Sequence, residues 1–335
     1  MVNMMKALVF TAPHTFEYRD VPRPEPAPDE VLVEVKACAI CGSDVHGSSG
    51  ENGRRIPPLV MGHEASGTIA QLGEAVQGWA VGDRVTFDST EYCGHCWFCT
   101  HGMHNLCAQR RIVGVACTEY RKNGAMAQYI AVKARTLYAL SPTVSFEQGC
   151  LVEPFAVGMH AVLRSGLAAG QTAAVIGDGI GLMTLIAAKS QGAQVCISGH
   201  HTRPMQLAAQ LGALDCAQLP QLTAERGADV VYDAVGSQSS FTQAMELVRK
   251  GGRIMVIGNH ARTIDFPLQR CITEQIDVQF SYSSAGEYPV CLQAIAEGRA
   301  GLTGLWQSFP LAEGAQVFDR LVHRDESLTK AVLIP

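Results

Sequence analysis

The sequence predicts an α/β chain of two domains, a β-rich, barrel-like domain with long excursions followed by a doubly wound parallel sheet wrapped by helices. Three observations predict it. At 335 residues the chain is too long for one ordinary core. Up to about residue 150, short apolar runs are separated by turn formers such as Pro22, Pro24, Pro26, Pro28, Gly73 and Gly82. From about Gly170 strand-like and helix-like runs alternate, the pattern of a parallel sheet covered by helices.

In chain order, the strand-like runs of the first domain are 6–10, 31–38, 65–72 and 84–87. Those of the second are 173–176, 195–198, 230–233, 253–257 and 278–280, the first three each followed by a helix. The final stretch holds a helical run at 290–296 and a strand-like one at 330–334. No internal repeat or low-complexity segment interrupts this order.

Composition narrows the function class. A formal net charge of -5 offers no basic footprint for nucleic acid. Residues 1–10 carry one lysine and too short an apolar run for a signal peptide, and no later segment gives eighteen apolar residues in a row, so no membrane association is expected. Five of the twelve cysteines fall into the motifs described next. The other seven are scattered, which suits a reducing, cytoplasmic compartment and not a disulfide framework.

Cys93, Cys96, Cys99 and Cys107 form a C-x2-C-x2-C-x7-C loop. Four thiolates brought together so tightly can close a tetrahedral shell around Zn2+, as structural sites do. The bacterial iron–sulfur run puts its fourth cysteine after three residues and follows it with proline, whereas here the gap is seven and Ala108 follows. A packed, metal-free cluster is also a poor fit, because His95, Thr100, His101 and His104 make the loop polar. Cys41 and His63 lie outside this loop and are available for a second, open site that keeps a position for water or substrate.

The second domain opens with Ala174-Val175-Ile176 running into Gly177-Asp178-Gly179-Ile180-Gly181. Glycines there let the backbone approach a pyrophosphate while the positive end of the next helix faces it. The third glycine comes one residue earlier than in the G-x-G-x-x-G fingerprint, with Leu182 in its expected place.

Taken together, Cys41-Gly42-Ser43-Asp44-Val45-His46, Gly62-His63-Glu64, the four-cysteine loop, Val152-Glu153-Pro154, the glycine turn and Gly251-Gly252-Arg253-Ile254 resemble the zinc-containing medium-chain alcohol dehydrogenases. The resemblance spans essentially the whole chain. It implies a GroES-like catalytic domain at 1–155 with a structural zinc lobe at 93–107, a Rossmann dinucleotide-binding domain at 156–287, and a return segment at 288–335 that completes the first domain. It also implies two zinc ions per chain. Glu153 takes the place of the third catalytic ligand, a cysteine in classical members, and this looks like the polyol and threonine dehydrogenase branch. Glu64 is expected to exchange with the bound water, Ser43 and His46 to relay the proton, and Asp44 to orient His63. The cofactor positions implied are Gly177, Gly179, Ile180, Gly181, Gly199, His200, Arg203, Val235 and Gly258.

A polyol, cyclitol or sugar substrate is expected from the polar loops 47–57 and 117–123, with a phosphorylated one if two of Arg54, Arg55 and Arg121 converge. The alternatives are a threonine-type amino-alcohol dehydrogenase and a non-catalytic nucleotide-binding regulatory protein. Assembly is expected as a homodimer or homotetramer through the edge strand 278–280. Finally, the second strand ends at Gly199 with no acidic residue, followed by His200, His201, Thr202 and Arg203. A glycine there leaves room for a 2′-phosphate, so NADP is expected to serve at least as well as NAD.

Overall fold

The computed structural model describes residues 3–335, so the first two residues of the segment read for a signal peptide lie outside it. The chain divides into two compact units, Met1–Glu153 with Thr303–Pro335, and Pro154–Leu302. The sequence reading returned the chain to the first unit at 288. The helix Tyr288–Ala296 instead stays with the second, where Tyr288, Cys291 and Ala294 are fully buried.

The first unit is built on a seven-stranded sheet. Its order is Leu137–Ala139, Arg84–Phe87, Glu64–Leu72, Glu30–Ala39, Ala331–Ile334 and Gln307–Pro310, with Tyr129–Lys133 also pairing Glu30–Ala39. A smaller sheet joins Thr15–Pro22, Met4–Ala12 and Leu59–Val60. Phe10, Val33, Phe87, Phe318 and Leu333 fill the common core. Thr15–Pro22 and Tyr129–Lys133 escaped the sequence reading. The former is mostly exposed, its Phe16 and Tyr18 alternating with Glu17, Arg19 and Asp20, and it is fixed by hairpin pairing with Met4–Ala12, not by its own apolar content.

The second unit carries six parallel strands in the order Leu214–Asp215, Gln194–Ser198, Thr172–Ile176, Ala228–Asp233, Val248–Val256 and Asp277–Phe280. Numbered along the chain this is 3-2-1-4-5-6, the doubly wound dinucleotide order, with its reversal between Thr172–Ile176 and Ala228–Asp233. Thr172–Ile176 is buried at all five positions, as a strand covered on both faces must be. Leu214–Asp215 is only two residues long and exposed, too short to leave a sequence signature. No helix among the described residues is long and apolar enough to cross a membrane.

Candidate metal centres and dinucleotide site

The open metal site sits where three neighbouring strands meet. On Glu30–Ala39, Ala39 faces Glu64 on one side and Val332 on the other. Cys41 follows two residues later, Glu64 begins its own strand, and Lys330 immediately precedes Ala331–Ile334. Cys41 Sγ accepts the Ser43 N–H at 3.4 Å and so caps the short helix Gly42–Gly47. Gly62 turns the chain into His63 with φ +95°, and a Cβ there would come within 2.7 Å of Cys38 Sγ and 2.8 Å of Met126 Cγ, so only glycine serves.

Ligand atoms of Cys41, His63 and Glu64 all lie within 4.8 Å of one another. Burial, and then the neighbouring Glu64, push the Cys41 thiol up to about 12. A thiol, an imidazole and a carboxylate crowded together in this way are stabilised by a dication, which lets the thiol ionise and offsets its repulsion with Glu64. The set therefore fits zinc.

His63 Nδ1 lies 3.5 Å from Asp44 Oδ2, and neither atom has a hydrogen-bond partner among the described residues. The other Asp44 oxygen accepts from Arg55 Nε at 3.2 Å and from its terminal nitrogen at 2.9 Å. Asp44 is fully buried and Arg55 is 5% exposed. With Nδ1 facing Asp44, Nε2 is the nitrogen left for a metal.

Two partners were missed in the sequence. Lys330 Nζ straddles the Glu64 carboxylate, 2.8 Å from Oε1 and 2.6 Å from Oε2. Its burial disfavours the charge, but Glu64 and Cys41 outweigh that and hold the ammonium above the usual lysine range. Ser89 donates its Oγ hydrogen to Glu153 Oε1 at 3.0 Å. A lone lysine before a strand and a lone serine after one carry no signal of such roles.

Glu153, expected as the third ligand, is not among the three residues whose ligand atoms lie within 4.8 Å of one another, whereas Glu64 is. Glu153 comes from a different element, the second position of the helix Val152–Ser165, which tolerates Pro154 in its first turn because no intrahelical N–H is needed there. It remains coupled to the site. Burial pushes its carboxyl up to about 8 against the pull of His63. Ser43 and His46 are both exposed and lie three residues apart, on one face of Gly42–Gly47.

Two of the three arginines considered for a phosphate are engaged with the protein itself. Arg55 is committed to Asp44, and Arg121 donates to the backbone carbonyls of Ile56 and Pro58. Arg54, Glu51 and Asn52 are exposed.

The four-cysteine loop is held by the single-turn helix Trp97–Thr100 and the 3-10 turn His104–Leu106. Sulfur–sulfur distances are 3.5 Å for Cys96–Cys99 and 3.9 Å for both Cys93–Cys99 and Cys96–Cys107. A tetrahedron with zinc–sulfur bonds of about 2.3 Å has edges of roughly 3.8 Å. Backbone N–H groups of Cys93, Cys96 and Gln109 donate to these sulfurs, which favours thiolates. The N–H groups near Cys99 and Ala108 bring Cys96 down to about 6. The lobe fits a closed zinc site.

In the second unit, Gly177 turns the chain with φ +100°, and a Cβ there would meet Val235 Cγ2 at 2.8 Å across the strand reversal. Beside Gly179 a Cβ would meet nothing within 4 Å, so the loop faces open space at the N-terminus of the helix Ile180–Ser190, whose cap has no side-chain hydrogen bond. These first N–H groups fit a pyrophosphate. Gly181, the displaced third glycine, still serves close packing, since its Cβ would be 3.1 Å from Val175 Cγ1. Gly258 lies against the backbone of Val235, where a Cβ would be 2.0 Å from the carbonyl carbon. His200 is exposed and Arg203 half-buried at the start of the helix Thr202–Gln210.

The room expected beside Gly199 is not open. A Cβ there would lie 2.8 Å from Asp178 Cβ and 2.9 Å from its Oδ2. Asp178 fills the space that a side chain at position 199 would take.

Comparison with known proteins agrees with this geometry. Residues 27–142 match the model of the alcohol dehydrogenase GroES-like domain, and residues 179–297 match that of the zinc-binding dehydrogenases. The chain is 32% identical to D-arabitol-phosphate dehydrogenase of Enterococcus avium, with 97% of each chain covered. It is 31% identical to sorbitol dehydrogenase of Bacillus subtilis, over 88% of this chain and 86% of that one. A zinc-binding dehydrogenase from Sinorhizobium meliloti, solved with NADP bound, superposes with a TM-score of 0.90 at 29% identity, covering 99% of this chain and 100% of that one. With its thiolate–imidazole–carboxylate cluster, its cysteine lobe and its 3-2-1-4-5-6 sheet, the chain belongs to the zinc-containing medium-chain alcohol dehydrogenases.

Proposed function

We propose that this protein transfers a hydride between a secondary alcohol of a polyol, cyclitol or sugar and a nicotinamide dinucleotide, using one catalytic and one structural zinc per chain. The gathering of Cys41, His63 and Glu64 carries the reading of a catalytic zinc, and Glu153, where classical members carry cysteine, favours the polyol branch. Zinc supplies a Lewis acid that lowers the pKa of an alcohol hydroxyl, and the nicotinamide ring supplies the hydride acceptor.

The chain's own groups do the rest. Asp44, clamped by Arg55, fixes the His63 ring. Lys330 shares the Glu64 charge, which would weaken Glu64 as a ligand to a zinc ion held with Cys41 and His63. Glu153, anchored by Ser89, would accept a hydrogen bond from the substrate hydroxyl or a water. Ser43 takes the hydroxyl proton and His46, exposed on the same helical face, passes it to solvent. The carbon loses its hydrogen with the bonding electron pair, and the carbonyl remains.

The exposed Arg54, Glu51 and Asn52 suit a polyhydroxylated substrate. With Arg55 and Arg121 engaged elsewhere, unphosphorylated polyols rank ahead of sugar phosphates. The relatives act on both kinds, as their names state. The open edge strand Asp277–Phe280, whose Phe280 is 66% exposed, supports pairing into a homodimer or homotetramer. Twelve free thiols suit a cytoplasmic setting.

The test is metal analysis joined to a substrate panel of polyols, cyclitols, sugar phosphates and threonine, followed by nicotinamide absorbance. About two zincs per chain with turnover of polyols supports the reading. Turnover of threonine alone, or one zinc and no hydride transfer, refutes it.

A further inference from the structure

In a doubly wound dinucleotide fold the second strand ends beside the adenosine ribose, and an acidic side chain there accepts the ribose hydroxyls. Here that strand, Gln194–Ser198, runs into Gly199-His200-His201 without an acid. A carboxylate reaches the same point from another loop. The first and second strands pair in parallel with Ile176 opposite Ser198, and Gly177 donates its N–H to Ser198 O at 2.7 Å, so the loops after them start side by side. From the glycine turn, Asp178 crosses to the end of the second strand. Its Oδ2 accepts the N–H groups of His200 at 2.9 Å and His201 at 2.7 Å, and lies 2.9 Å from His201 Nδ1. Oδ1 takes no part in these bonds.

Gly199 is what admits this side chain, because any Cβ would collide with Asp178. The consequence for an anion is direct. Two backbone N–H groups just before the helix Thr202–Gln210, which could otherwise cradle a phosphate, are already taken by a carboxylate. A negative charge also stands at the end of the second strand, against Gly199, where it would repel a 2′-phosphate. Burial works against that charge, but the N–H groups of His201 and His200 outweigh it and hold the carboxyl below its usual range. Arg203 forms no ion pair or hydrogen bond among the described residues, and it is the group through which an NADP preference would have to act.

We propose that Asp178, admitted by Gly199, sets the cofactor choice: its Oδ1 accepts an adenosine ribose hydroxyl and its charge excludes a 2′-phosphate, so that NAD is selected over NADP. This rests on reading the turn 177–181 as a dinucleotide site and replaces the expectation drawn from the bare glycine at 199.

The test is equilibrium binding, without turnover, of NADH and NADPH to the zinc-loaded protein and to Asp178→Asn and Arg203→Ala, followed by the fluorescence of the bound dihydronicotinamide. The wild type is expected to bind NADH at least about tenfold more tightly than NADPH. Asparagine keeps an oxygen for the two N–H groups and removes the charge, so Asp178→Asn should narrow that ratio by roughly ten- to a hundredfold, the value of one charged hydrogen bond. Arg203→Ala should leave the ratio within about threefold. Equal or tighter NADPH binding by the wild type overturns the proposal, as does an unchanged ratio in Asp178→Asn or a loss of NADPH affinity confined to Arg203→Ala. If Asp178→Asn does not fold, competition on the wild type decides: adenosine 2′,5′-bisphosphate displacing NADH better than 5′-AMP overturns the assignment, and the reverse supports it. Failure of both dinucleotides to bind would instead overturn the reading of the turn, and the proposal with it.

Discussion

Replacing Lys330 by methionine tests whether the metal centre is electrostatically complete without its ion. Lys330 and Glu64 are 13% and 1% exposed, and Nζ lies 2.6 and 2.8 Å from the two carboxylate oxygens. At an effective dielectric of about 20, unit charges that close attract by on the order of 6 kcal/mol. Desolvation of the two ions offsets much of this, so the pair itself contributes little net stability. Removing one partner is different, because Glu64 is left buried, charged and beside Cys41, and breaking such a pair costs about 3–5 kcal/mol. The metal-free Lys330→Met protein should therefore melt about 6–20 °C lower than the metal-free wild type, at roughly 2–4 °C per kcal/mol for a unit of this size. Zinc offers Glu64 a substitute cation, so the gap should shrink on metal loading. Differential scanning of chelator-treated and zinc-loaded samples measures both quantities. A loss below about 1 kcal/mol in the metal-free state, or a gap that widens with zinc, refutes the reasoning.

Four further outcomes follow from the same geometry. Cys41→Ser should abolish turnover with little change in melting temperature, whereas Cys99→Ser should lower the melting temperature or solubility because the lobe depends on its ion; comparing activity and thermal scans of the two variants checks this. Asp44→Asn removes the charged acceptor facing His63 Nδ1, and zinc titration should show affinity reduced by about ten- to a hundredfold. Glu153→Gln should lower kcat by a similar factor while zinc content stays near two per chain, and loss of one zinc in this variant would return Glu153 to the ligand set. Asp229 gives the pH test. Burial opposes its charge, but the Thr172 N–H and Arg249 hold its carboxyl below the usual aspartate range. Its contribution is thus present above pH about 4 and lost as pH falls through the lower folded value. Asp229→Asn should cost about 1–3 kcal/mol at pH 7 and progressively less as pH falls below about 4, read from thermal scans across that range.

Periodicity and covalent spacing were enough for much of this molecule. The strands Arg84–Phe87, Thr172–Ile176 and Gln194–Ser198 were legible because their apolar runs are continuous and bounded by turn formers. The four-cysteine lobe was legible because all its ligands lie within fifteen residues and local chain geometry brings them together. Cys41 and His63 could be named, and their motif neighbours with them, from short-range patterns alone. Tertiary structure decided how the two carboxylates stand to them. The pairing of Glu30–Ala39 with Glu64–Leu72 puts Glu64 beside Cys41, while Ser89 anchors Glu153. It also recruited Lys330, 266 residues away from Glu64 in sequence, through the pairing of Ala331–Ile334 with the same central strand. Asp178 shows the same limit most plainly. Read along the chain, Gly199 is an absence of charge; folded, two parallel strands in register bring a carboxylate from 21 residues upstream into the space that glycine leaves. Local sequence fixes which chemical groups a segment carries, whereas strand register decides which of them share a few ångströms, and the electrostatics of a site depends on the second.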